Sequence, residues 1–204
     1  MLRILTRLCL LLFSLIPAAV ALPDRAVQYV YDGENSQVQF ALKHFGIVTV
    51  SGHFNAFSGV FRFDPRHIEE SRVMLAIQTA SVDSGHAGSD RRLRSRKFFW
   101  TDQYPEIQFV STQCKDIQGK RFNIYGDLTI RGRTHPVIFQ TELLMEPGDI
   151  TARETIFFRA QTYIKRKDFH LGTGSGFDPL MFLTTETLKL RLEVEGIPVV
   201  TDSG

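Results

Sequence analysis

Five basic residues fall within seven positions, Arg91, Arg92, Arg94, Arg96 and Lys97, and run directly into Phe98-Phe99-Trp100. With Asp90 included, the local charge is +4. Guanidinium groups take phosphate oxygens and aromatic rings settle at apolar boundaries, so the segment reads as an anion site or a membrane-surface contact. A solvated helix whose trailing aromatics plug a core accounts for the same residues. The run Gly172-Thr173-Gly174-Ser175-Gly176 resembles a phosphate-cradling loop, but such loops open a helix, and here Asp178-Pro179 and another strand follow. It therefore reads as a hairpin loop. Ser175 has Thr173 where a nucleophile elbow needs glycine. His44, His53, His67, His86, His135 and His170 include no H-x-H or H-x-x-x-H pair, and no metal site is expected. No pair of carboxylates lies within an apolar strand to run acid–base chemistry. The expectation is a protein without catalytic residues, metal or cofactor.

The elements that would position these groups are strands. Apolar and polar residues alternate with period two at Val38-Phe40-Leu42, Phe57-Gly59-Phe61-Phe63, Val73-Leu75-Ile77 and Ile107-Phe109. The pattern continues through Phe122-Ile124-Gly126-Leu128-Ile130, Val137-Phe139-Thr141-Leu143 and Ile156-Phe158-Ala160-Thr162-Ile164. It is clearest at Leu188-Leu190-Leu192-Val194, set against Lys189, Arg191, Glu193 and Glu195. Turn signals separate the runs, among them Asp32-Gly33, Asp64-Pro65, Gly119, Arg131-Gly132 and Pro147-Gly148. One apolar and one polar face per strand means an all-β, antiparallel sheet with one wet side, since parallel strands would be apolar throughout. About eight strands suit a closed barrel or a two-sheet sandwich. The charged face of the last strand argues against a membrane-spanning barrel. His86–Trp100 breaks the alternation, so one short helix is expected near residues 86–97, with Asp90 and Arg94 spaced to pair on its surface.

Residues 1–21 combine Arg3 and Arg7, an apolar run from Leu8 to Ile16, and Ala19-Val20-Ala21, the pattern of a signal peptide cut after Ala21. A nine-residue run falls well short of the roughly 20 apolar residues that cross a bilayer. The mature single domain would be 22–204, with 22 basic and 22 acidic residues, which gives no general attraction for nucleic acid. It keeps one cysteine, Cys114, expected to be buried or free for an intermolecular bond. Of 23 aromatic residues 17 are phenylalanine, enough to fill a large core or line an apolar cavity.

Several short motifs occur in a familiar order. They are His44-Phe45-Gly46, Gly52-His53-Phe54, Phe57-Ser58-Gly59-Val60-Phe61, Ser81-Val82-Asp83-Ser84 and Asp90-Arg91-Arg92-Leu93-Arg94-Ser95 with Phe98. Tyr104-Pro105-Glu106-Ile107-Gln108-Phe109-Val110-Ser111-Thr112 and Gly126-Asp127-Leu128-Thr129-Ile130-Arg131-Gly132 follow. From about Tyr29 to Gly196 the chain resembles the YceI-like family of polyisoprenoid-binding, mostly periplasmic bacterial proteins. The resemblance implies an eight-stranded, lipocalin-like antiparallel barrel, an apolar cavity for an isoprenoid lipid such as a polyprenyl or quinone tail, and no catalysis. It implies a periplasmic protein; the further expectation is a monomer or homodimer, with a peripheral membrane-surface contact through the basic-aromatic segment. Where the family has Arg-x-Asp-Phe-Gly, this chain has Arg166-Lys167-Asp168-Phe169-His170, and that change bears on the adjacent cavity mouth. By strand parity the lining falls to Phe40, Leu42, Phe61, Leu75, Ile77, Phe109, Ile124, Leu128, Phe139, Phe158 and Leu190, with Arg91 and Arg94 as headgroup contacts. Parity leaves open whether these side chains fill the barrel or line a slot, and a filled barrel would be an interaction or stress-response module.

Overall fold

The computed structural model describes residues 27–44, 48–146, 154–172 and 186–199. The expected signal peptide and most of the Gly172–Gly176 loop lie outside them. The strands are β1 (Val27–Tyr31), β2 (Gln37–His44), β3 (Val48–Phe54), β4 (Phe57–Phe63), β5 (Arg72–Gln78) and β6 (Val82–Asp83). One helix follows, α1 (Ala87–Arg94), and then β7 (Glu106–Gln118), β8 (Arg121–Ile130), β9 (Arg133–Leu143), β10 (Ile156–Lys165) and β11 (Thr187–Pro198).

These segments form one antiparallel sheet that closes on itself as an eight-stranded barrel. The count reconciles because three barrel positions are each shared by two segments. β11 pairs with β2 through Lys189–Glu193 and with β1 through Gly196–Pro198, so β1 and β2 lie end to end. β4 pairs with β1 and β3 with β2, and β5 and β6 continue the same division. Sequence alternation identifies one run at each shared position and passes over β1, β3 and β6. β3 carries Gly52 where an apolar inward residue would mark the period, and β6 has only two residues.

Side chains bridge the breaks. At the first, Ser36 Oγ accepts from Glu195 N at 2.9 Å, standing in for a ladder carbonyl. At the second, Ser81 Oγ accepts from Ala56 N at 3.0 Å, while Gln78 N donates to Ala56 O at 2.9 Å. Buried polar backbone is thereby satisfied where the strand pairing lapses.

The inward rows predicted by parity make up the core. Phe40, Phe61, Leu75, Ile77, Phe109, Leu128, Phe139 and Phe158 are all buried, and Leu42, Ile124 and Leu190 pack partly buried against them. One barrel end is closed by a 3-10 turn at Ile68–Glu70, whose Ile68 is buried. Asp64 holds this turn. Its Oδ1 accepts from Arg66 N at 2.8 Å and its Oδ2 faces His67 Nδ1 at 3.2 Å. Burial opposes ionisation of Asp64, but these hydrogen bonds outweigh it and hold the carboxyl below its ordinary range.

At the other end lie α1, Phe99 and the Arg166–Phe169 turn, with Phe169 meeting His135 edge-on at 5.1 Å. The expected Asp90–Arg94 pair does not form. Asp90 Oδ1 instead accepts from Ser84 N at 2.8 Å and Ser84 Oγ at 2.6 Å, because the turn after β6 brings Ser84 to the start of the helix.

Candidate functional site

The lumen contains two cavities in line, of about 60 and 30 Å³. The larger lies toward the Ile68 turn, between Tyr31, Phe61, Phe63, Ser71, Val73, Phe122, Ile124, Thr141, Phe158, Ala160 and Val194. The smaller lies toward α1, between Val38, Phe40, Phe54, Ile77, Phe99, Ile107, Leu128, Ile130, Leu188 and Leu190. Leu75, Phe109, Phe139 and Leu192 border both, so the partition between them is made of side chains alone. Within it Phe109 and Phe139 meet edge to face at 5.0 Å. Further ring pairs surround the larger cavity, including Phe63–Phe158 at 5.0 Å and Phe61–Phe158 at 5.7 Å.

Inward-facing glycines give these rings their seats. A Cβ at Gly126 would stand 2.5 Å from Phe109 Cζ, and one at Gly52 would stand 2.5 Å from Phe40 Cζ. Only glycine lets a ring lie flat against the barrel wall at such a point. The wall is thus a set of aromatic plates on bare backbone.

Ten of the eleven residues assigned to the lining by parity border one cavity or the other, and Leu42 packs against the core outside both. Phe63 and Phe122 belong to the same inward rows and were legible by the same alternation, whereas Phe54 lies on β3, which that alternation passes over. Ser71 was not legible either, because it precedes its strand and carries no pattern. Phe99 is buried in the lumen, so one of the three aromatics after α1 plugs the core. Phe98 and Trp100 remain partly exposed beneath Arg92 and Arg96, at 5.6 and 4.7 Å from guanidinium to ring centroid.

Arg91 and Arg94 border neither cavity. Arg91 is exposed on α1. Arg94 Nε donates to Ala80 O at 2.8 Å and its Nη2 to Val82 O at 2.5 Å, which ties the helix to the edge of β6. Two of its donors, Nε and Nη2, are thus engaged by the fold.

Cys114 is buried, its Sγ 3.5 Å from Ser71 O. Burial pushes the thiol up to about 11, which keeps it protonated and unreactive near neutrality. Among the described residues, no group of three His, Cys, Asp or Glu side chains comes together to hold a metal ion.

His170 takes φ 52° and ψ 35°, the left-handed conformation that glycine adopts freely after a helical turn. Its side chain is exposed and its carbonyl accepts from Arg131 Nη1. The chain path is therefore the one a glycine would give, and the histidine adds strain without entering the lumen. His170→Gly is expected to stabilise the protein by about 0.5–1 kcal/mol, seen as a rise of about 1–4 °C in the melting temperature. A drop on that substitution would show that the imidazole makes a stabilising contact.

Comparison with known proteins agrees with this architecture. The YceI-like domain family matches residues 29–196. A UPF0312 protein of Photorhabdus laumondii is 37% identical over 174 residues, covering 84% of this chain and 87% of the relative. Protein YceI of Shigella flexneri is 34% identical over 166 residues, covering 81% and 83%. Among solved structures, Burkholderia cenocepacia BcnA superposes with a TM-score of 0.72 at 25% identity, covering 81% of this chain and 98% of that one. A polyisoprenoid binding domain from Saccharophagus degradans, implicated in plant cell wall breakdown, superposes at 0.65 with 17% identity, covering 85% and 99%, and shares the fold. An inward-facing apolar barrel, a covering helix and a family match across nearly all the described strands lead to one assignment: the chain belongs to the YceI-like family.

Proposed function

We propose that the protein is a binding or carrier protein for an isoprenoid lipid, exported to the periplasm after loss of residues 1–21, and that the prenyl chain lies along the lumen. One observation carries this reading: two apolar cavities lie in line and only side chains divide them. Its support from relatives is the family and the polyisoprenoid binding described for the Saccharophagus protein.

Energetics favour the same occupant. Pockets that hold a whole ligand run to about 300–1,000 Å³, so rings must turn before a chain enters. Breaking an edge-to-face pair costs about 0.5–1.5 kcal/mol. Burying one five-carbon unit contributes up to about 4 kcal/mol at roughly 0.8 per CH₂. A few units outweigh the displaced ring contacts and the lost chain freedom, and reach the roughly 8 kcal/mol of micromolar binding. The chemistry is binding, not turnover. Among the described residues, Arg62 is the one charged residue at either cavity, and it sits on the outward parity of β4.

A second reading, a barrel that binds partners on its outside, is favoured by one surface feature. Ile197, Val30, Val60, Met74 and Val110 are consecutive cross-strand partners from β11 to β7, and all are exposed. Native mass spectrometry separates the readings. The full-length chain, recovered from a periplasmic fraction, is expected to begin after Ala21 and to carry a prenyl lipid released by organic solvent. A barrel that arrives empty and retains neither added polyprenol nor added prenylquinone would overturn the carrier reading in favour of the second.

A further inference from the structure

We propose that Ser71 forms a polar seat in the larger cavity that receives the neutral oxygen terminus, hydroxyl or carbonyl, of the bound prenyl chain. The inference rests on the isoprenoid reading and adds the chemistry of the ligand's end and its direction in the lumen.

Ser71 is 3% exposed, and its Oγ has no hydrogen-bond partner. Its backbone is satisfied. The N–H donates to Ile68 O at 3.0 Å, and the carbonyl accepts from Arg72 Nη1 at 2.7 Å and faces Cys114 Sγ. Only the hydroxyl is left over, on the wall of a cavity that is otherwise almost wholly apolar. A buried hydroxyl without a partner costs about 1–3 kcal/mol, so its presence calls for a partner that arrives from elsewhere. Tyr31 borders the same cavity, its ring packed edge-on against Phe57 at 6.4 Å and tilted on Phe61 at 5.3 Å. The other side-chain hydroxyl there, Thr141 Oγ1, already donates to Phe139 O at 3.3 Å. A water molecule needs two to four polar partners and would leave the apolar walls unfilled. A prenyl chain ending in oxygen satisfies the Ser71 hydroxyl and fills the apolar remainder together.

The seat selects a neutral terminus. A phosphate taken into this wall would lose its hydration, and Arg62, the one charged residue bordering the cavity among the described residues, sits on the outward parity of β4. The expected orientation therefore puts the ligand's oxygen toward the Ile68 end and its tail past the Phe109–Phe139 partition toward Phe99.

The test compares squalene, a polyprenol, a prenylquinone and a polyprenyl phosphate of similar chain length, on the wild type and Ser71→Ala. The wild type should bind the alcohol or the quinone more tightly than squalene and much more tightly than the phosphate. Ser71→Ala should weaken the preferred oxygenated ligand about tenfold and leave squalene unchanged. Loss confined to the alcohol or to the quinone assigns the terminus to hydroxyl or to carbonyl. Retained squalene binding shows that the variant is folded. An equal loss for all ligands, no loss for any, or tightest binding of the phosphate would overturn the seat. Squalene binding without any preference for oxygen would remove the seat and leave the isoprenoid reading standing. Failure of the wild type to bind any of the four overturns both.

Discussion

Phe139→Ala is expected to lower the stability of the empty barrel by about 3–5 kcal/mol and at the same time to improve its uptake of prenyl chains. Phe139 is buried and stands in the partition, where it meets Phe109 at 5.0 Å. Its ring borders both cavities, so removing it joins them into one passage. The cost comes from lost burial and from a void that strands on a closed sheet cannot collapse to fill. The gain comes from the same void, because a chain threading the lumen no longer has to displace the ring. Differential scanning calorimetry should show a melting temperature lower by about 6–20 °C without ligand. Added polyprenol should raise it by more in the variant than in the wild type, since stabilisation by a ligand grows with affinity. A variant that loses stability and responds no better than the wild type would mean that the two cavities do not form a ligand path.

The alternation of β7 through β11 was legible because each strand has one face in the lumen and one in water, so parity alone assigned Phe109, Ile124, Leu128, Phe139, Phe158 and Leu190 inward. Two-segment positions were not legible in the same way. The breaks are bridged by Ser36 and Ser81, and each bridge reaches a segment distant in the chain. The ring seats were equally hidden. Gly196 lies against Phe61 and Gly126 against Phe109, and nothing in either local run announces its partner. Free volume in the lumen follows from how those rings turn, so residue types in order do not determine it. Ser71 illustrates the limit most directly, since a serine ahead of a strand is commonplace and only burial without a partner makes it notable.

The basic segment separates spacing from geometry, and Arg94→Ala tests the difference. Five cations before three aromatics read equally as an anion site or as a helix fastened over a core. The structure engages Arg94 with Ala80 O and Val82 O, carbonyls on the side of β6 where no further strand pairs. Asp90 clasps Ser84 beside it, so helix and edge are joined at two points. Charged hydrogen bonds to backbone contribute about 1.5–3 kcal/mol, and truncation leaves two carbonyls without their donors. Arg94→Ala is therefore expected to cost about 2–3 kcal/mol, a fall of about 4–12 °C, whereas Arg91→Ala on the exposed face should stay within about 0.5 kcal/mol. Arg94→Lys should recover only part of the loss, because one ammonium does not reproduce a fork spanning two carbonyls. Stability and binding of a polyprenyl phosphate are measured on all three. A similar drop in phosphate affinity for Arg91→Ala and Arg94→Ala, with stability intact, would return both residues to the headgroup role. Loss of stability in Arg94→Ala alone identifies that residue as the clasp that keeps α1 over the edge of β6.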